Sequence, residues 1–216
     1  MKPGDFLLGV LDFFAVLLPG SLIAWLATQY VPPDALRRAL SPGWGGEPDS
    51  VVVATALLLS SYLFGHLVFM AGAKLDPMYD GWRRRTKQMD ADKAYNAAKA
   101  LQASLTKNLV GGEFSTLKWA KTYVQVTAPG ARVEIDRLEA NSKFFRSLVV
   151  VATAFTAHFL LREQSPAMGV ATIVIGILSY QRYVEERWKM TELSYATAVI
   201  AHAARTMKPA APAADE

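Results

Sequence analysis

Hydrophobic residues along this chain gather in four stretches with polar segments between them. Residues 51–73 contain no Asp, Glu, Lys or Arg, and residues 6–28 contain one, Asp12. A helix of about 20 predominantly apolar residues crosses a bilayer, so both stretches predict membrane helices. Two further stretches without formal charge, 147–161 and 166–181, fall short of that length. Their flanks extend them. Phe144, Phe145 and Arg146 lengthen the first, with the arginine snorkelling to the interface. Tyr180 and Tyr183 stand as an aromatic belt for the second. Only Arg162 to Ser165 separate the two, and Pro166 suits a helix start. A tight transmembrane hairpin over 147–181 is expected, with a buried soluble hairpin as the competing reading of the short lengths.

The first stretch competes with a cleavable signal peptide. It is too long for an ordinary h-region and no clear A-x-A site follows it, so a retained helix is expected. Pro19-Gly20 falls mid-stretch and predicts a kink. Loop 29–50 is rich in Pro and Gly (Pro32, Pro33, Pro42, Gly43, Gly45, Gly46, Pro48) and reads as irregular.

The polar segments have helical periodicity. Ala94, Ala98, Leu101, Leu105 and Leu109 recur every three or four residues, with Gly111-Gly112 as a stop. Phe114, Leu117, Trp119, Ala120, Tyr123 and Val124 form a second run that ends at Pro129-Gly130. A third helix is expected from about Ala131 straight into the 147–161 stretch, with Val133, Leu138 and Phe145 on its apolar side and Glu134, Asp136, Arg137 and Glu139 exposed. After the hairpin, 182–206 reads as one helix presenting Trp188, Leu193, Ala196, Val199 and Ile200. Residues 207–216 are rich in Pro and Ala and read as a disordered tail. The predicted class is all-α: a polytopic membrane protein with four transmembrane helices and a small cytoplasmic helical bundle. Its parts are 1–73 (helices one and two), 74–146 (cytoplasmic), 147–181 (hairpin), 182–206 (C-terminal helix) and 207–216 (tail).

Charge sets the expected orientation. Segment 74–146 has 14 basic and 8 acidic residues, a net +6, whereas loop 29–50 has only Arg37 and Arg38 as cations. The positive-inside rule then places 74–146 and both termini in the cytoplasm, across the inner membrane of a bacterium. The same surplus would attract anionic lipid headgroups. Nucleic acid is disfavoured as a partner, because only Arg83, Arg84 and Arg85 are densely clustered and they sit at the membrane edge. The chain has 216 residues, 52% hydrophobic, and no cysteine, which removes disulfides, thiolate metal sites and Cys nucleophiles.

Intramembrane polar residues are the candidate chemistry. Asp12 lies about 9 Å and His66 about 10 Å from the cytoplasmic ends of their antiparallel helices, counting 1.5 Å per residue. An Asp12–His66 pair would relay protons or gate a pore. Alternatively Asp12 caps the first helix or pairs with Lys2. Ser60, Ser61, Tyr62 and His66 give the second stretch the most polar face, for helix bridging or for lining water. His158 is expected at the outer interface. At the cytoplasmic edge Asp76 reads as the N-cap of a helix beginning at Pro77. Asp76 and Asp80, beside Arg83, Arg84, Arg85 and Arg146, suit ion pairs or a cation. Three histidines without His-x-x-x-His spacing suggest no metal site, no cofactor motif is present, and the P-loop, Rossmann, G-x-S-x-G and H-E-x-x-H signatures are absent.

The overall pattern broadly resembles small multispanning inner-membrane proteins of bacteria, some of which serve as membrane effectors or scaffolds beside a soluble partner. The expected function is a non-enzymatic, homo-oligomeric membrane module that forms a pore or perturbs the bilayer, controlled through its cytoplasmic helices. One alternative is a scaffold that recruits a soluble protein through 74–146 and 182–206. Another is a lipid-acting membrane enzyme with Asp12, His66, Asp76 and Asp80 around a cleft.

Overall fold

The computed structural model describes residues 3–32, 34–35, 50–86, 92–107 and 115–207, with side chains in the first helix described from residue 15 onward. Among the described residues the fold is all-helical: α1 (Pro3–Thr28), α2 (Ser50–Ala73), α3 (Leu75–Arg85), α4 (Lys93–Thr106), α5 (Thr116–Thr127), α6 (Pro129–Leu161) and α7 (Pro166–Thr206). Local chemistry sets several boundaries. The Asp92 carboxylate accepts from the backbone N–H groups of Ala94 (2.9 Å) and Tyr95 (3.1 Å) and caps α4. Ser115 caps α5 through the Lys118 N–H at 3.3 Å. Proline opens both α6 and α7, where its missing N–H would have no partner anyway. In the turn between them Gln164 has φ +49°, and the Ser165 N–H reaches back to the Phe159 carbonyl at 2.9 Å. Pro19 lies inside a helix that continues through it.

Among the described residues three helices are long and apolar enough to cross a bilayer: Ser50–Arg85 (α2 running on into α3), α6 and α7. In their most apolar windows only 17%, 28% and 22% of the residues are buried within the protein. The outward surface includes Leu58, Leu59, Leu63, Leu67 and Met70 of α2 and Ile173, Val174, Ile177 and Leu178 of α7. Apolar surface this continuous marks a membrane protein, since in water it would drive association. The described part of α1 that is apolar, Ala15–Thr28, is shorter.

The chain divides into two compact units. The first comprises Met1–Tyr79 and Ala140–Glu186. Ser61, Gly65, Val68 and Gly72 form the buried stripe of its α2, spaced four, three and four apart, with Ser61 and Gly65 against α1 and Gly72 against Arg146 of α6. A Cβ on Gly20 would meet the Ser61 carbonyl oxygen and stand 2.5 Å from the Gly65 nitrogen, and one on Gly65 would meet the Val16 carbonyl oxygen. The two backbones are therefore nearly in contact, and only glycine fits at the crossing. Thr156 of α6 and Thr172 of α7 share a hydrogen bond at 2.9 Å.

The second unit comprises Asp80–Glu139 and Arg187–Glu216. Its core is Ala98, Ala120, Val124, Ile135, Leu138, Met190, Tyr195 and Ala198, with Leu117, Trp119 and Tyr123 packed against it. Two expected faces differ. Val133 of α6 is exposed, and Ile135 with Leu138 takes the core side. Ile200 of α7 is exposed too, because the inward face is Met190, Thr191, Ser194, Tyr195 and Ala198. Polar Ser194 is tolerated inside because its hydroxyl bonds the Met190 carbonyl at 2.7 Å. Leu109, Gly111-Gly112, Phe114 and the Pro/Gly-rich part of loop 29–50 beyond Ala35 lie outside the described residues, as does the tail from 208.

Candidate functional site

A polar cluster in the first unit is built on Asp76. This residue lies within the first turn of α3, not ahead of it as an N-cap, because α3 already begins at Leu75. Its carboxylate accepts from Arg146 Nη1 at 2.5 Å and from the Tyr183 hydroxyl at 2.7 Å. Arg146 does not snorkel. Its side chain is 6% exposed, its stem packs on Gly72 and its guanidinium lies 4.7 Å over the Phe69 ring. The Arg146 Nε and the Ser147 hydroxyl are buried without a hydrogen-bond partner. Tyr183 is not an interfacial belt residue. It is fully buried, edge-on to Tyr79, and contributes a hydroxyl to a carboxylate. Glu186 adds a second carboxylate, this one buried, paired with Arg182 at 2.8 Å and accepting from Asn141 at 3.5 Å.

The polar residues of α2 divide between two faces. Ser61 belongs to the buried stripe against α1, and Ser60 is half-buried. Tyr62 and His66, one turn apart, are exposed, with their rings edge-on at 4.5 Å. His66 also borders an open groove of about 180 Å³ lined by Ala15 and Val16 of α1, Phe69 of α2 and Lys143 of α6. Asp12 lies within α1, but its side chain is outside those described, so the Asp12–His66 pairing is left as an expectation.

At the far end of the hairpin His158 is 5% exposed. Its Nδ1 and the Tyr30 hydroxyl are 3.0 Å apart, and its Nε2 is 3.6 Å from Glu163 Oε1. The Arg162 guanidinium covers the Tyr30 ring at 4.7 Å. Tyr30 and Glu163 were not singled out from the sequence. Aromatic and charged residues at the end of an apolar run are the signal that would have found them.

The second unit separates the Arg83–Arg85 cluster. Arg84 and Arg85 are exposed, whereas Arg83 is buried. Arg83 donates to Thr191 Oγ1 at 3.0 Å and to Asp92 Oδ2 at 3.1 Å, and its guanidinium lies 4.3 Å over the Trp188 ring. Asp80 pairs with Arg187 at 3.2 Å. Asp76 and Asp80 thus each bind a different arginine. Tyr195, packed edge-on to Tyr95, has its phenol pushed up to about 12 by burial. The Tyr123 hydroxyl meets His202 Nδ1 at 3.0 Å. Among the described residues no group of three or more His, Cys, Asp and Glu side chains is placed to hold a metal.

Compared with known proteins, the chain matches no family model, no curated protein and no solved structure.

Proposed function

We propose that this chain is a non-enzymatic integral membrane module that assembles from several copies and forms a permeation path through, or a perturbation of, the bilayer. The reading includes α1 as a fourth span, both termini in the cytoplasm, and the basic segment 74–146 on the cytoplasmic side of a bacterial inner membrane. Control comes through the cytoplasmic helices. The observation that carries the proposal is the Tyr62–His66 pair, exposed on α2 within a long apolar helix. A histidine at that depth is costly against lipid and usually faces a partner or water. A neighbouring copy or an aqueous lumen would meet that need.

The test is ion flux in liposomes containing the purified full chain, together with its native mass in detergent. The expected result is a closed assembly of several copies whose flux changes in His66→Ala and Tyr62→Phe. A monomer, or flux unchanged in both variants, would remove the central pore. A second reading, the membrane scaffold, draws support from the self-contained core of the second unit. It predicts stable capture of a soluble partner by the cytoplasmic helices, and no flux.

A further inference from the structure

We propose that α2 is the axial helix of the assembly: copies of this chain meet through one stripe of it, Thr55, Leu59, Tyr62 and His66. All four are exposed within the apolar span, although Thr55, Tyr62 and His66 are polar. Their spacings are four, three and four residues, so they fall on one side of the helix. That side lies about a third of a turn from the buried stripe of Ser61, Gly65, Val68 and Gly72, and packing within the chain leaves it open. Alternating steps of four and three are the seam that one helix presents to a second.

The chemistry of the stripe selects a copy of itself over lipid. Counting 1.5 Å per residue back from Ala73, His66 lies about 10 Å and Tyr62 about 16 Å along the helix, at the depth of hydrocarbon, where an imidazole or a phenol facing acyl chains has nothing to bond. A neutral imidazole donates through one nitrogen and accepts through the other, and a tyrosine or threonine hydroxyl does both. The stripe is therefore complementary to a second copy of itself and needs no group of another kind. A bond across the seam occupies one nitrogen of His66 and leaves the other for the Asp12 pairing expected from the sequence. The outward surface of α7 offers no such match. Its exposed residues from Pro166 to Leu178 are all apolar, while Thr172 and Ser179 turn inward. That surface suits lipid at the rim of the assembly.

The axial placement of α2 rests on the several-copy reading of the chain and goes beyond it in naming the helix and the residues that meet. Oxidative crosslinking of single-cysteine variants of the full chain in liposomes tests it, since the chain has no cysteine of its own. Thr55→Cys, Leu59→Cys and His66→Cys should each give roughly tenfold more covalent dimer than Leu57→Cys and Leu67→Cys, because a disulfide requires Cα atoms within about 7 Å. Leu57 and Leu67 are exposed on other sides of the same helix and serve as controls. The native mass of each variant in detergent is measured alongside. Thr55→Cys and Leu59→Cys leave Tyr62 and His66 in place, so they decide the matter even where His66→Cys fails to assemble. A closed assembly whose crosslinks are equal at all five positions, or strongest at Leu57→Cys or Leu67→Cys, overturns the axial placement and leaves the several-copy reading standing. A monomer without crosslinks at any position overturns both.

Discussion

The Asp76–Arg146 pair should respond asymmetrically to loss of either partner. The Arg146 side chain is 6% exposed and that of Asp76 is 28% exposed. Asp76→Asn keeps the shape of the site but removes the counter-charge of a buried guanidinium, whose Nε already lacks a partner and whose remaining contact is the Phe69 ring. Removing one partner of a buried pair costs about 3–5 kcal/mol, and this variant belongs near the lower end because the pair is partly open to water. Arg146→Met keeps the stem on Gly72 and leaves Asp76 with the Tyr183 hydroxyl and partial solvent, for a cost of about 1–2 kcal/mol. The double variant strands neither charge and should cost less than Asp76→Asn alone. Unfolding in mixed micelles, titrated with dodecyl sulfate and followed by circular dichroism, gives the three values. An Arg146→Met cost equal to or above that of Asp76→Asn would refute the reasoning, as would strict additivity in the double variant.

Other expectations follow from the same packing. Gly65→Val should separate α1 from α2 and lower the unfolding temperature in detergent, because its Cβ would meet Val16 backbone. Gly81→Ala, with open space around it, should be neutral or stabilising by about 0.5–1 kcal/mol. Arg83→Lys should destabilise the second unit by about 1–3 kcal/mol, since one ammonium cannot bond Thr191 and Asp92 while stacking on Trp188. Its stability is measured by the same titration. Tyr195, whose phenol is pushed by burial from its ordinary 10.0 up to about 12, holds its proton longer in the native state. Its contribution is therefore full below pH 10 and lost as pH rises through about 12. Tyr195→Phe should flatten the fall in stability across that window, read from unfolding curves at stepped pH.

The helices were largely legible in the sequence, and the pairings were not. Long uncharged runs and the Pro166 start are local signals, as is the cap at Asp92, and each acts within a turn of itself. Which side of a helix faces inward is less local. Ile135 rather than Val133, and Tyr195 rather than Ile200, turn inward because the neighbouring helices offer Ala98, Ala120 and Ala198 as small surfaces there. Arg146 and Tyr183 read as interfacial residues because snorkelling and belt rules describe a lone helix in lipid. Asp76, 70 and 107 residues away from them, alters that outcome, and no spacing rule links such distant positions. Ser61 and His66 looked like one polar face, but only close approach of Gly20 to Gly65 shows that Ser61 is committed to the helix seam.

The same separations order events during synthesis. At about 5–20 residues per second, Asp76 leaves the ribosome roughly 4–14 seconds before Arg146, and Tyr183 follows after that. Throughout that interval the carboxylate is without the Arg146 guanidinium and the Tyr183 hydroxyl that hold it in the folded chain. The Arg146 bond can close only after α2 to α5 have been made, and the Tyr183 bond only after α6 is complete. Chain position thus sets the order in which the contacts of this site can close.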